Sequence, residues 1–180
     1  MRRTITVPAG STILLAAALG ALAGARESAA AQPCRSLVVA SAEETRGTSG
    51  EKFSATKTTD LTFRLFVDPA LAGDHVLELK VYTPRKFLYR SISVPIALGA
   101  ATSGAATQER KIDGYPHPQR VRRATHDTLA GADVQRIEVA FPVGGTDIVG
   151  SSLYGRWKVE PFLDGAANAC GPATTFRITQ

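Results

Sequence analysis

Residues 154–165 read YGRWKVEPFLDG, and residues 176–179 read FRIT. Trp157, Val159 and Leu163 fall on one face of an extended chain, because successive side chains of a β-strand point to opposite sides. The Asp-Gly dipeptide that closes the first segment is typical of a tight turn. The pattern therefore predicts a strand, a turn and a returning strand that pairs with it.

The same alternation of apolar and polar residues recurs upstream. It is clearest in residues 61–67, 77–81, 87–96 and 137–143. In the third of these segments the core positions share one parity, namely Leu88, Ile92, Val94 and Ile96. No ten-residue segment beyond the N-terminal region shows a convincing helical period. About seven short strands must bury their apolar faces against one another, and two packed antiparallel sheets are the economical solution. The sequence thus predicts an all-β protein with one sandwich domain over residues 32–180.

The C-terminal hairpin also carries a family resemblance. Its pattern, Gly-x-Trp-x-Val…Leu-Asp-Gly…Phe-x-Ile, resembles the final hairpin of immunoglobulin-like domains in exported bacterial proteins. The residues that carry it are Gly155, Trp157, Val159, Leu163, Asp164, Gly165, Phe176 and Ile178. The resemblance implies an immunoglobulin-like antiparallel β-sandwich, a fold that hosts adhesion, scaffolding, chaperoning and sugar-binding modules alike.

Trp157 is the expected core anchor of this hairpin. Its parity with Val159 favours burial, and Gly155 leaves space for the indole to pack against a neighbouring strand. The alternative is an exposed ring that serves as a platform for sugars.

The first 31 residues have the three parts of a secretory signal peptide. Arg2 and Arg3 give a positive start, residues 13–23 are apolar, and residues 28–31 are small. The apolar part is too short to span a bilayer comfortably, which disfavours a membrane-anchoring helix. We therefore expect a cleaved signal peptide, a secreted or periplasmic location and no stable membrane anchor after cleavage. The abundance of Arg and Ala is typical of a GC-rich bacterial genome.

The charge balance argues against a nucleic-acid partner. The whole chain has a formal net charge of +5, and part of that charge lies in the predicted signal peptide. The remaining domain is only mildly basic, which is weaker than the concentrated positive field of a dedicated nucleic-acid binder.

Two cysteines lie near the two ends of the predicted domain. In an oxidising compartment an isolated pair such as Cys34 and Cys170 is most simply a disulfide. A redox pair usually lies closer in sequence, and a thiolate metal site needs further ligands. The sequence predicts a structural disulfide that ties the first strand to the loop before the last.

A long loop is expected at about residues 97–131, because much of this region offers little to bury, with one short strand around residues 120–124. It contains a cluster of cations that could engage an acidic polysaccharide, a lipid phosphate or an acidic protein. The alternative is that these charges decorate an edge strand and prevent edge-to-edge association. The candidate residues are Arg110, Lys111, Arg120, Arg122 and Arg123.

No arrangement of reactive side chains stands out. His75, His117 and His126 fall in predicted turns or loops, and none belongs to a recognised metal pattern. The serine pair at residues 151–152 lacks the Gly-x-Ser-x-Gly elbow. Acidic residues on the strands alternate with core positions, so they should face water. We expect no catalytic residue, no metal site and no cofactor.

Three aromatic residues, Phe66, Phe87 and Tyr89, are out of phase with the core positions of their strands. They either face solvent, where aromatic rings serve recognition, or pack under the long loop.

Taken as a whole, the sequence predicts an exported, non-enzymatic structural or protein-interaction module. The alternative is a carbohydrate-binding or adhesive module that uses the basic loop region.

Overall fold

The computed structural model describes residues 32–41, 52–99, 107–111 and 116–180. The predicted signal peptide at residues 1–31 lies outside these ranges. The strands are β1 (Cys34–Ser41), β2 (Lys52–Ser54), β3 (Asp60–Val67), β4 (Gly73–Tyr82), β5 (Leu88–Leu98), β6 (Thr107–Arg110), β7 (Gln119–Arg123), β8 (Thr125–Leu129), β9 (Ala132–Pro142), β10 (Gly155–Leu163) and β11 (Thr174–Thr179), and helix α1 spans Asp147–Gly150.

The strands form two sheets. The smaller sheet has the order β1-β3-β9-β8, and the larger has the order β2-β11-β10-β4-β5-β7-β6. All strand pairs in these orders are antiparallel except β11–β2 and β5–β7, which are parallel. The all-β sandwich is confirmed, but the described part of the chain holds eleven strands rather than about seven. The count was too low because the additional strands are short and lie at or near sheet edges, where few apolar residues are needed.

Aromatic rings join the two sheets at the centre of the core. Phe63 and Phe141 of the smaller sheet have ring centroids 5.2 Å apart. Phe63 lies 5.9 Å from Phe176, and Phe141 lies 6.3 Å from Trp157, both on the larger sheet. Trp157 is fully buried, and its indole N–H donates a hydrogen bond to the carbonyl oxygen of Leu153 at 3.0 Å. The indole therefore fills the core and has its polar group satisfied.

A β-bulge at the start of β5 changes which side chains face the core. Val81 pairs with Arg90, but the next residue, Tyr82, pairs with Leu88. Tyr89 is the extra residue, and its ring packs edge-on against the indole of Trp157 with centroids 5.2 Å apart. Leu88 is 55% exposed. The expectation that Leu88 faces the core was wrong, because a bulge shifts the alternation by one residue.

The predicted long loop at residues 97–131 contains three strands. β7 and β6 extend the larger sheet to its edge, and β8 forms one edge of the smaller sheet. The fully buried Val121 anchors β7, whereas its neighbours are polar. The pairing of these strands rests mainly on backbone hydrogen bonds, which leave no apolar alternation in the sequence. Residues 100–106 and 112–115 of this region lie outside the described ranges.

A disulfide joins Cys34 to Cys170, with a Cα–Cα distance of 5.2 Å. The backbone N–H of Cys34 also donates a hydrogen bond to the carbonyl oxygen of Cys170 at 3.0 Å. Cys34 begins β1 of the smaller sheet, and Cys170 lies between two strands of the larger sheet. The disulfide therefore links the two layers of the sandwich.

Gly171 permits the close approach of the chains at this disulfide. A Cβ atom at position 171 would lie 2.1 Å from the carbonyl oxygen of Cys34. We expect Gly171→Ala to lower the free energy of unfolding by about 1–3 kcal/mol, since the backbone must shift to relieve the overlap. Gly150→Ala is the control, because a Cβ there meets no atom within 4 Å. Equal thermal midpoints for the two variants would contradict the expectation.

Candidate functional site

The predicted cationic cluster lies at the β6–β7 edge of the larger sheet. Lys111, Arg120 and Arg122 are exposed, and we call these three residues the basic edge. Arg123 is half-buried and shares the parity of Val121, so it does not lie on the same face as Arg120 and Arg122. The side chain of Arg110 lies outside the described part of the protein. The structure thus brings together only part of the predicted cluster.

Two of the three cations of the basic edge contact neighbouring groups of the protein. The Arg120 Nε atom lies 3.9 Å from the Glu109 Oε1 atom. The Arg122 Nη1 atom donates a hydrogen bond to the carbonyl oxygen of Glu138 at 2.6 Å. Arg122 also lines a small groove of about 190 Å³ that includes Arg136 and Glu138. These contacts fit the alternative interpretation of an edge strand protected by charge.

His75 lies in strand β4, not in the turn that the sequence suggested. Its Nδ1 atom is 2.7 Å from the Asp164 Oδ2 atom, and its Nε2 atom is 3.3 Å from the carbonyl oxygen of Ala72. The other carboxylate oxygen of Asp164 accepts a hydrogen bond from the backbone N–H of Val76 at 2.8 Å. Both ring nitrogens therefore face acceptors, and the pair connects β4 to the turn after β10.

The other two histidines are near the surface. His117 is exposed before β7, and His126 lies in β8, again not in a loop. The Nε2 atom of His126 is 3.5 Å from the Asp133 Oδ1 atom, and both side chains are exposed. Within the described ranges, no three His, Cys, Asp or Glu side chains are grouped so that they could hold a metal ion. No helix in those ranges is long and apolar enough to cross a membrane.

An apolar surface lies at the end of the β4–β5 hairpin. Phe87 is 69% exposed, and Leu88 beside it is 55% exposed. A groove of about 320 Å³ runs between the hairpin and the loop before β10. We call this region the tip surface, and its residues are Thr83, Pro84, Arg85, Phe87, Leu88, Ser151, Ser152, Leu153 and Tyr154. The sequence offered Phe87 as a possible surface residue, but the bulge hid the exposure of Leu88.

Hydrogen bonds fix the turn that carries Phe87. The backbone N–H groups of Thr83 and Lys86 donate to the carbonyl oxygens of Phe87 and Thr83, respectively, each at 2.9 Å. The backbone N–H of Phe87 donates to the Thr83 Oγ1 atom at 3.2 Å. Just beyond it, Tyr89 packs against the buried Trp157. The exposed ring of Phe87 is therefore presented by a turn that is hydrogen-bonded within the protein itself.

Three exposed cations, Arg85, Lys86 and Arg90, flank the tip surface. None of them forms an ion pair with another residue in the described ranges. Several cations elsewhere have close acidic partners. Arg35 contacts Asp68 at 2.6 Å, and this hydrogen bond lowers the pKa of the Asp68 carboxyl group. The tip surface therefore combines apolar side chains with positive charge that no residue in the described ranges neutralises through an ion pair.

Lys158 and Tyr82 show how side chains on the outer face of the larger sheet interact with their neighbours. The Lys158 Nζ atom lies 2.8 Å from the Glu160 Oε1 atom, and this hydrogen bond raises the pKa of Lys158. Burial, followed by the neighbouring Glu160 carboxylate, raises the pKa of Tyr82. Lys158 also lies over the Tyr82 ring, 4.7 Å from its centroid. The charges on this part of the outer face are paired with each other, so they are not available to an external ligand.

Comparisons with known proteins give no family. The sequence matches no protein-family model, and no curated protein matches it. Among solved structures, the chain is similar to Pseudomonas fluorescens alkylpurine DNA glycosylase AlkC bound to DNA containing an abasic site analog. The TM-score is 0.37 with 11% sequence identity, over 82% of this chain and 30% of that protein. A likeness at this level carries no argument about fold or function.

Proposed function

We propose that this chain is an exported, non-enzymatic interaction module with an immunoglobulin-like fold, and that it binds a protein partner through the tip surface. The observation that carries the proposal is the exposure of Phe87 and Leu88 side by side on one hairpin. Contiguous exposed apolar surface commonly marks an interaction site, and Phe87 also lines the groove.

The hydrogen-bonded turn of the β4–β5 hairpin supports a role in binding a protein partner. Binding costs free energy when side chains and loops must be fixed at the interface, and a turn that is already hydrogen-bonded avoids part of that cost. Large apolar side chains seated in a partner's pocket commonly supply most of the binding energy. Phe87 and Leu88 are placed to act in this way.

The surrounding charges indicate the chemistry of the partner. Arg85, Lys86 and Arg90 are exposed, and each lies within two residues of Phe87 or Leu88 in the sequence. Complementary charges steer association and select among partners. The expected partner is therefore a protein with an apolar pocket bordered by acidic side chains.

The contacts of His75 support a structural role for this side chain. A general base must be able to reach the proton that it removes. Both ring nitrogens of His75 contact acceptor groups of the protein instead. The disulfide supports export, because such bonds persist in oxidising compartments. A secreted or periplasmic location in a bacterium, reached by a cleaved signal peptide at residues 1–31, completes the proposal.

The proposal predicts a specific loss of association for the double variant Phe87→Ser, Leu88→Ser. In extracts of cells that express the chain, the wild-type protein should elute from a sizing column in a larger complex, and the variant should elute as the isolated chain. Both proteins should have thermal midpoints within about 2 °C, since the two side chains are exposed.

Val149→Ser is the matched control, because Val149 is the other exposed large apolar residue in the described ranges, at 36%, and lies on α1. It should leave the complex intact. The proposal fails if the wild-type chain elutes alone, or if the double variant remains in the complex.

A further inference from the structure

Three cations lie in one line across neighbouring strands of the larger sheet. Arg177 of β11 pairs directly with Arg156 of β10 on one side and with Lys52 of β2 on the other. All three side chains are exposed, whereas their neighbours Trp157 and Phe176 are buried. Adjacent strands are about 4.8 Å apart, so the row extends over about 10 Å between its outer backbones. We call these three residues the cationic row.

This arrangement is unfavourable for the isolated protein. Like charges directly opposite each other on paired strands repel and destabilise the sheet. The next positions along the same face avoid the problem, since Lys158 contacts Glu160 at 2.8 Å and Lys80 contacts Glu78 at 3.7 Å. No member of the cationic row forms an ion pair with another residue of the described ranges. An external anion would relieve the repulsion.

The row borders a space that such an anion could occupy. Lys52, Arg156 and Arg177 line a shallow groove of about 440 Å³ together with Thr175 and Phe176. Guanidinium groups bind carboxylate or sulfate oxygens in a bidentate manner, and the threonine hydroxyl can also donate a hydrogen bond. The side chain of Phe176 is only 2% exposed, so the floor of the groove offers no ring on which a base could stack.

We propose that the cationic row binds a linear acidic polysaccharide that lies across the strands and places its carboxylates against successive cations. The spacing of the strands sets the spacing of the cations, which suits a chain of regularly repeated anionic groups. The choice of a polysaccharide over a nucleic acid rests on the proposed export and on the lack of an exposed ring. The cationic row shares no residue with the tip surface, and the two proposals are tested with different variants and different ligands.

Two double variants with equal changes in charge test this inference. Arg156→Ser with Arg177→Ser removes the centre and one end of the cationic row, and Arg120→Ser with Arg122→Ser removes two cations of the basic edge. Binding to polygalacturonate is measured at low salt. The row variant should bind at least about tenfold more weakly than wild type, because it loses charge-assisted hydrogen bonds. The edge variant should stay within about threefold, the effect of net charge alone.

Thermal unfolding shows whether each variant is folded. The row variant should keep or raise its thermal midpoint, because the repulsion is removed. Lys52→Ser removes only one cation and is a milder test of the same row. Equal weakening in both double variants, stronger weakening in the edge variant, or no binding by wild type would each overturn the inference. Tighter binding of a single-stranded oligonucleotide than of polygalacturonate would overturn it as well.

Discussion

Replacing Cys34 and Cys170 with alanine should lower the free energy of unfolding by about 4–5 kcal/mol. The two cysteines are separated by 136 residues, so their bond constrains nearly the whole described domain in the unfolded state. In the chain-entropy model a loop of this length gives a stabilisation of about that size. Domains of this kind have total stabilities of about 5–15 kcal/mol, so the variant should be largely unfolded or only marginally stable. Denaturant unfolding of variant and wild type measures the difference.

Two controls isolate the covalent bond. Reductant should destabilise the wild-type protein and have no effect on the double alanine variant, since that variant has no remaining cysteine. Thiol titration of denatured, unreduced protein from an oxidising host should detect no free thiol. Two free thiols per chain would show that the bond does not form there.

Trp157→Ala should cost about 3–5 kcal/mol, the range for truncating a large buried aromatic side chain. The indole is fully buried and contacts the rings of Tyr89, Phe141 and Phe176. Its loss leaves a cavity at the junction of the two sheets, and the carbonyl oxygen of Leu153 loses its donor. Trp157→Phe retains a ring and should cost less. Equilibrium unfolding of the two variants measures both effects.

Fluorescence gives an independent check on this position, because Trp157 is the only tryptophan in the sequence. The native protein should emit toward the blue and resist iodide quenching until it unfolds. A red-shifted, readily quenched native spectrum would place the indole at the surface and would contradict its role in the core.

The parts of the fold that the sequence could predict are those that bury large apolar side chains at alternate positions. Residues 61–67 and 137–143 follow the period of two, and the structure pairs them as β3 and β9. The final hairpin is likewise formed by β10 and β11. Burial of this kind is a strong and local signal, since each strand must supply every second residue to the core.

Other features depend on contacts between distant segments. The bulge at Tyr89 depends on the pairing of β5 with β4, so the simple alternation placed Leu88 on the wrong side. β6 and β8 are short and largely polar, and their backbone pairing leaves little trace in the side-chain pattern, whereas the short strand expected around residues 120–124 corresponds to β7. Gly73 and Asp74 are typical turn residues and predict a turn at His75, yet all three residues belong to β4.

The candidate sites also depend on contacts between distant segments, which the sequence pattern does not reveal. The basic residues of 110–123 are close together in sequence and therefore predict a cluster, but the alternation of β7 places Arg123 on the opposite face from Arg120 and Arg122. The cationic row is formed by three strands from distant parts of the sequence, and only the register of the sheet brings Lys52 beside Arg177. The tip surface depends on the bulge and on a loop that meets the hairpin from another part of the chain.

Photocrosslinking from position 87 in intact cells tests most directly whether the tip surface holds a protein partner. A benzophenone-bearing phenylalanine replaces Phe87 in one protein and the exposed Arg120 in a second. We expect one discrete protein adduct from position 87, none of that size from position 120, and loss of the adduct when Leu88→Asp is added. No adduct from position 87, or the same adduct from both positions, would contradict the proposed function.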